Sequence, residues 1–98
     1  MTRFVLSPAA QADLEEIWDY THERWGAEQA VGYLREIQRG IERVIANPMI
    51  GRACDEVRAG YRKHAIGAHM LYYRIVGGDV IDVVRILHQR MDVDRHFD

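Results

Sequence analysis

Two runs of apolar residues with helical spacing, separated only by Gly26, constrain the fold of this chain more than any other feature. The members of the first run step by one, three or four positions: Ala10, Leu14, Ile17, Trp18, Thr21 and Trp25. The second run continues in the same way: Ala27, Ala30, Leu34, Ile37, Ile41 and Val44. Because the break is so short, we expect two antiparallel helices that pack face to face, with both Trp18 and Trp25 in the core.

The ends of these helices carry recognisable signals. Ser7 occupies a position suited to an N-cap, and Pro8 suits the first helical residue. Asn47-Pro48 should end the second helix, because the residue before a proline avoids helical backbone angles.

Strand patterns flank the helices. We predict a short strand over 3–6, a loop over 49–56, and a β-meander with strands over 61–66, 69–76 and 79–88. Gly67-Ala68 and Gly77-Gly78 are the expected two-residue turns. Residues 89–98 read as a polar, partly flexible tail. The chain is therefore predicted to be a single α+β domain over 1–98, with an N-terminal strand and a helical hairpin packed on a small antiparallel sheet.

Two-residue turns would also fix the register of the meander. Ile75 would then lie opposite Val80, Leu71 opposite Val84 and His69 opposite Ile86, and this face would pack on the helices. The other face would carry Tyr61, Lys63, Ala65, Met70, Tyr72, Arg74, Ile81, Val83 and Arg85. A slip of one residue would exchange the two faces.

Composition excludes several classes of protein. The 98 residues, 48% of them hydrophobic, suit one modest core, and no apolar run approaches the ~20 residues of a membrane-spanning helix. The N-terminus becomes acidic too early for a secretory signal, so we expect a cytoplasmic protein. Cys54 is the only cysteine, which leaves no disulfide framework and no thiolate cluster; we expect it to be a small buried residue.

Catalytic and cofactor motifs are missing from the sequence. Gly77-Gly78 lacks the following helix that a nucleotide-binding loop needs. The five histidines lack ligand-like spacing, so neither a metal nor a cofactor is expected. Ser7 is the only serine and has a capping role, which leaves no basis for a catalytic triad.

The second face of the sheet is the chemically interesting surface. Lys63, Arg74 and Arg85 could bind phosphate, and Tyr61 and Tyr72 could stack on bases. In a ribonuclease, the proton-transfer group would be His88, which falls on the opposite face in this register. The alternative is that Arg74 and Arg85 pair with nearby carboxylates such as Asp82. The composition of this face therefore favours binding over catalysis. Its apolar floor is large enough that we expect it to contact a partner molecule.

The order of motifs resembles the ParE branch of the RelE/ParE toxin superfamily over nearly the whole chain. The helical motifs are Ser7-Pro8, Asp13-Leu14-Glu15-Glu16-Ile17-Trp18-Asp19-Tyr20, Trp25-Gly26 and Ala30-Val31-Gly32-Tyr33. The later motifs are Asn47-Pro48-Met49-Ile50-Gly51, Gly60-Tyr61-Arg62, His69-Met70-Leu71-Tyr72-Tyr73-Arg74 and Arg85-Ile86-Leu87-His88-Gln89-Arg90-Met91-Asp92. The last of these is the most specific.

The resemblance implies the toxin of a type II toxin–antitoxin pair associated with plasmid stabilisation. A separate ParD-like antitoxin would form a hetero-oligomer with it and wrap a C-terminal segment over it. ParE-like members are associated with blocking DNA gyrase, whereas RelE-like members cut mRNA on the ribosome. This chain has one lysine and no tyrosine near its C-terminus, which departs from the RelE-like pattern.

Three expectations about sites follow. As a gyrase inhibitor the chain would have no catalytic residues; as a ribonuclease it would use Lys63, Arg74, Arg85 and His88. We expect the antitoxin to bind the helical hairpin and the sheet edge, with an acidic, amphipathic segment that complements basic residues. The candidate contact residues are Tyr61, Arg62, Tyr72, Arg74, Arg85 and Arg90. Direct contact with nucleic acid is expected only through the antitoxin.

Overall fold

The computed structural model describes residues 3–91 and 93–97, which form a two-helix hairpin on a five-stranded sheet. The α+β class expected from the sequence is confirmed. The elements are β1 (Arg3–Leu6), α1 (Pro8–Trp25), α2 (Ala27–Ala46), β2 (Arg52–Ala53), β3 (Tyr61–Ile66), β4 (His69–Val76), β5 (Val80–His88) and α3 (Val93–His96). No helix in the described part of the chain has both the length and the apolar character needed to cross a membrane.

The N-cap of α1 also ties the helix to the sheet. The Ser7 hydroxyl accepts a hydrogen bond from the Ala10 amide at 3.0 Å and donates one to the Val84 carbonyl at 2.7 Å. Pro8 follows as the first helical residue. At the other end, Gly26 adopts φ 92°, a region that favours glycine, and thereby reverses the chain between α1 and α2. The predicted N-cap at Ser7, the break at Gly26 and the end of α2 before Asn47-Pro48 are therefore confirmed.

The sheet has the order β1-β5-β4-β3-β2 and is mixed rather than wholly antiparallel. β5, β4 and β3 pair antiparallel, as the meander predicts. The prediction of a loop over 49–56 was wrong in one part, because Arg52 and Ala53 pair with Lys63 and Arg62 and so add the short antiparallel strand β2 to the sheet. β1 pairs parallel with β5, because the chain crosses over through the helical hairpin before it enters the meander. The outer edge of β1 carries no further strand among the described residues.

The predicted register of β4 and β5 was wrong, first because the turn between them is longer than two residues. Val76 pairs with Val80, so the turn contains Gly77, Gly78 and Asp79. Gly78 and Asp79 adopt φ values of 74° and 63°, and an aspartate tolerates this left-handed conformation better than most residues. Ile75 therefore lies opposite Ile81 instead of Val80.

A β-bulge causes the second part of the error. Tyr72 pairs with Arg85 and Tyr73 with Val83, which leaves Val84 as an extra residue in β5. Beyond this point Leu71 lies opposite Ile86 and His69 opposite His88. The longer turn alone moves Ile81 and Val83 from the predicted outer face into the core beneath the helices. The bulge adds a second one-residue shift, so that Ile86 again faces the helices as predicted.

The main core lies between the helical hairpin and one face of the sheet. Its fully buried members include Ile37 and Val44 of α2 and Leu71, Tyr73 and Ile81 of the sheet. The Tyr73 hydroxyl donates to the Pro48 carbonyl at 2.7 Å and accepts from the Gly51 amide at 3.0 Å. The loop after α2 is thus fixed by the same side chain that fills the core.

The two tryptophans of α1 have different environments. Trp18 is half-buried and stacks on His22, with the ring centroids 5.8 Å apart. Trp25 is 66% exposed, so its predicted place in the core was wrong. Trp25 lies in the last turn of α1, four residues beyond Thr21, the last buried residue of the helix.

A second, smaller core covers the opposite face of the sheet. Its buried residues are Cys54, Tyr72 and Leu87, and Cys54 is buried as the sequence suggested. The partly buried residues packed against them are Val57, Tyr61, Met70, Val93 and Phe97. The loop after β2 and the C-terminal segment therefore lie over the apolar face for which the sequence suggested an external partner. Where the sequence predicted a polar tail, Val93–His96 form a short helix and Phe97 packs on the sheet.

Candidate functional site

Arg85, which the sequence analysis proposed as a contact residue, forms an ion pair with Asp13 of α1. Its Nε donates to Asp13 Oδ2 at 2.8 Å and a terminal nitrogen donates to Asp13 Oδ1 at 2.7 Å, a bidentate arrangement. Its other terminal nitrogen donates to the His96 carbonyl at 3.2 Å. The Arg85 side chain is 19% exposed and that of Asp13 is 7% exposed. The bond to Asp13 raises the pKa of the Arg85 guanidinium, which keeps Arg85 charged and links α1, β5 and α3.

Asp13 is the main structural residue that the sequence analysis missed. Besides the two bonds from Arg85, its carboxylate accepts a hydrogen bond from the Ile86 amide at 2.9 Å. A signal for this role was present. Asp13 lies three residues after Ala10 and four before Ile17, which are both buried, so the helical spacing already placed a carboxylate on the apolar face.

Arg74 forms the second ion pair, with Asp82 on the adjacent strand. Its Nε donates to Asp82 Oδ2 at 2.8 Å, and the Arg74 side chain is 50% exposed. This bond raises the pKa of Arg74. The pairing of Arg74 with Asp82 is the one that the sequence analysis kept open as an alternative to a binding role.

Tyr61 and Tyr72, which were proposed to stack on bases, pack instead against Phe97 in the C-terminal segment of the chain. Tyr72 is only 4% exposed. The ring of Phe97 meets Tyr72 edge to face at a centroid distance of 5.1 Å and Tyr61 at 5.7 Å. Burial raises the pKa of the Tyr72 hydroxyl, which therefore stays protonated and neutral.

The four residues named for a ribonuclease do not converge. Lys63 lies opposite Tyr72, and Tyr72 lies opposite Arg85, so Lys63 and Arg85 share a row of the sheet. The guanidinium of Arg85, however, is directed to Asp13. Arg74 belongs to the end of β4 near the Gly77–Asp79 turn, whereas His88 lies at the opposite end of β5, across from His69.

The remaining contact candidates, Arg62 and Arg90, differ in accessibility. Arg62 donates to the Gly51 carbonyl at 3.0 Å and to the Met49 carbonyl at 3.3 Å, which holds the loop after α2. Arg90 is exposed after the end of β5, and its amide donates to His88 Nδ1 at 3.1 Å. Arg90 is therefore more available to a partner than Arg62 is.

A cleft of about 400 Å³, the α1–β5 cleft, separates α1 from the ends of β4 and β5. Its lining residues are Asp13, Glu16, Ile17, Tyr20, Thr21, His69, Ile86, His88 and Met91. The imidazoles of His69 and His88 meet edge to face at 5.4 Å between centroids. Burial, reinforced by the nearby His88, lowers the pKa of His69, so His69 is neutral at neutral pH. No group of three potential metal ligands occurs among the described histidine, cysteine and acidic residues.

A second depression, the hairpin groove, lies on the other side of α1. Its volume is about 590 Å³, and its apolar lining consists of Leu6, Leu14, Trp18 and Leu34. Gln11, Glu15 and Asp19 form the polar part of the lining. Next to it, the strand β1 exposes Phe4 (44%) and Val5 (50%). An apolar groove beside an open strand edge is a typical surface for an amphipathic helix followed by an extended segment.

Comparisons with known proteins agree over the whole domain. A family model described as the ParE toxin of the type II toxin–antitoxin system parDE matches residues 4–93. Toxin ParE1 of Mycobacterium tuberculosis (strain H37Rv) is 65% identical, over 97% of each chain. Toxin ParE1 of Caulobacter vibrioides is 43% identical, over 98% of each chain. A solved structure titled "Chromosomal ParDE TA system from P. aeruginosa" superposes with a TM-score of 0.76 at 25% identity, covering 90% of this chain and 96% of that one.

Proposed function

This chain belongs to the ParE toxin family of type II toxin–antitoxin systems, and from that membership we propose that a ParD-like antitoxin silences it and that, when free, it inhibits DNA gyrase by binding alone. The observation that carries the antitoxin part is the hairpin groove beside the open edge of β1. Because gyrase acts on chromosomal DNA, the proposed site of action is the bacterial cytoplasm.

The chemistry of the hairpin groove favours a particular kind of antitoxin segment. Its apolar lining suits a helix with anchors spaced at i, i+3 and i+4. Glu15 and Asp19 lie in the lining, so the helix should carry neutral or basic residues beside its apolar stripe. Residues that follow this helix could pair with the free edge of β1. An acidic stretch of the antitoxin would instead lie near accessible arginines, such as Arg90.

Action without catalysis is supported by how the chain uses its charged groups. Arg85 and Arg74 are both engaged with aspartates, and His88 lies far along β5 from Arg74. Cleavage of RNA would require a base, an acid and cations around a single phosphate. The dispersed positions of Lys63, Arg74, Arg85 and His88 therefore favour inhibition by binding over the ribonuclease alternative.

The proposal is tested by a supercoiling assay with purified gyrase, with and without a ParD-like antitoxin that binds the chain. We expect the chain to inhibit supercoiling and the antitoxin to restore it. Trp18→Ala should weaken antitoxin binding by about tenfold or more, as expected for a tryptophan in the centre of an interface, and leave the inhibition of gyrase intact. Trp25→Ala is the matched control, because Trp25 is exposed and lies outside the groove.

Each half of the proposal can fail separately. Full supercoiling at an excess of toxin would exclude gyrase as the target. Equal antitoxin affinity of the Trp18→Ala and Trp25→Ala variants would exclude the hairpin groove as the docking site.

A further inference from the structure

We propose that the α1–β5 cleft is a second docking site, on the opposite flank of α1 from the hairpin groove, and that it takes an arginine side chain from an amphipathic segment of a partner protein. The cleft and the groove share no lining residue. One helix would thus present a docking site on each of its two flanks.

The first observation is the shape and polarity of the cleft. Ile17 and Ile86 are buried and provide an apolar floor, while Tyr20 and Met91 are 59% and 41% exposed at its rim. A volume of about 400 Å³ lies within the range of about 300–1,000 Å³ that is usual for ligand pockets. This suits a long side chain with an apolar stem and a polar head.

The second observation is the charge of the cleft. The Asp13 carboxylate is already neutralised by Arg85 and has accepted three hydrogen bonds. Glu16 is exposed and makes no ion pair within the part of the chain that the structure describes. Because Arg85 balances the charge of Asp13, Glu16 is the carboxylate of the lining that is left to attract a cation and to repel a phosphate.

The third observation is that Tyr20 already attracts a guanidinium. The Arg24 guanidinium carbon lies 5.3 Å from the centroid of the Tyr20 ring, a cation–π contact. Tyr20 follows Glu16 by four residues, so the ring and the carboxylate lie on the same side of the helix. An incoming arginine would replace Arg24 on the ring and form a bidentate bond with the Glu16 carboxylate, which lysine cannot do.

His69 and His88 form the inner end of the cleft. The Arg90 amide donates to His88 Nδ1. His69 Nδ1 is hydrogen-bonded to the Tyr33 hydroxyl. The inner wall therefore consists of two imidazole rings that are held by hydrogen bonds, and the acceptor for a cation is at the mouth, on Glu16.

The test is an NMR titration of the purified chain with the peptide acetyl-Leu-Arg-Leu-amide and with the same peptide carrying citrulline, the neutral isostere of arginine. The signals to follow are the imidazole protons of His69 and His88 and the amide of Thr21. We expect saturable shifts with the arginine peptide and binding that is weaker by about fivefold or more with citrulline, because the charge-assisted bond is lost.

Two exposed glutamates provide a matched pair of variants. Glu16→Gln should reduce the affinity for the arginine peptide by about fivefold, whereas Glu42→Gln, which removes the same charge from an exposed position of α2 outside both depressions, should leave it unchanged. Both side chains are on the surface of helices, so both variants should fold. Absence of shifts, equal binding of the citrulline peptide, or equal losses in the two variants would overturn the proposal.

Discussion

The two faces of the sheet are covered in different ways. Among the described residues, the helical hairpin covers one face and encloses eleven buried residues of the main core, whereas the loop after β2 and the C-terminal segment cover the other face and enclose three. The first cover consists of two helices of 18 and 20 residues. The second depends on a four-residue helix and the ring of Phe97.

Because of this difference, the two cores should open at different free energies. The main core joins elements that are distant in sequence, so it should open only when the whole domain unfolds. The smaller core is closed by segments with few buried residues, and these should open at a lower free energy. The buried Asp13–Arg85 pair connects the two covers of the sheet, because Arg85 donates hydrogen bonds both to Asp13 of α1 and to the His96 carbonyl of α3.

The largest effect is expected from Asp13→Asn. This change leaves the guanidinium of Arg85 largely buried without its counter-charge, and breaking such a pair costs about 3–5 kcal/mol of unfolding free energy. Urea denaturation would measure the loss. Asp82→Asn makes the same chemical change in the pair with the exposed Arg74 and should cost only a small fraction as much. Similar losses in the two variants would mean that burial does not distinguish the pairs.

The packing of the main core can be tested with two glycines of α2. A Cβ at Gly40 would collide with the side chain of Ile66, so Gly40→Ala should destabilise the domain by about 1–3 kcal/mol. Gly32→Ala meets open space and should instead stabilise the helix by about 0.5–1 kcal/mol. Thermal unfolding of both variants gives the comparison. A tolerated Gly40→Ala would show that the contact between α2 and β3 is looser than described.

Phe97→Ala tests whether the second face opens separately. Removal of the ring should lower the local opening free energy by about 1–2 kcal/mol, since Phe97 is only half-buried, and global stability should fall less. Cys54 reports the opening, because the thiol is buried in this core and burial raises its pKa. Its reaction with a thiol reagent should accelerate by roughly tenfold in the variant. An unchanged rate would mean that the loop alone protects Cys54.

The smallest effect concerns His64, whose Nε2 is buried without a hydrogen-bond partner among the described atoms. Burial and, secondarily, the nearby Arg43 lower the pKa of His64 below its usual 6.5. As the pH falls through 6.5 the unfolded chain therefore takes up the proton first, and stability is lost between that pH and the lower pKa of the folded state. His64→Leu should stabilise the domain by about 1 kcal/mol and reduce this acid loss. A stability below that of the wild type at pH 7 would contradict the account.

What the sequence predicted well was local. The bounds of β1, β3 and β4 and the ends of both long helices followed from alternation, Ser7, Gly26 and Asn47-Pro48, which act within a few residues. The register of β5 did not follow, because Asp79 joined the turn and Val84 formed a bulge, and neither has a strong local signature. A register error of one residue assigns every side chain of a strand to the wrong face. This is why Ile81 and Val83 were predicted on the outer face although they lie in the main core.

The candidate site was predicted less completely than the fold. The register places the predicted basic and aromatic residues in neighbouring rows of the sheet, but the groups they contact lie far away in sequence: Asp13 for Arg85, and Phe97 for Tyr72. Only the packing of α1 and of the C-terminal segment on the sheet brings these pairs together. Leu14, Trp18 and Leu34, which line the hairpin groove, belong to the same apolar runs that predicted the hairpin.

The central claim is that this ParE-family toxin acts by inhibiting gyrase, without cleaving RNA. Induced expression of the chain alone in a bacterium, scored for growth and cell shape while total RNA is sequenced, tests it most directly. We expect growth arrest with filamentous cells, an induced DNA-damage response and intact mRNA. Arrest with cuts at fixed codon positions would contradict the claim and would make Lys63, Arg74, Arg85 and His88 the first residues to substitute.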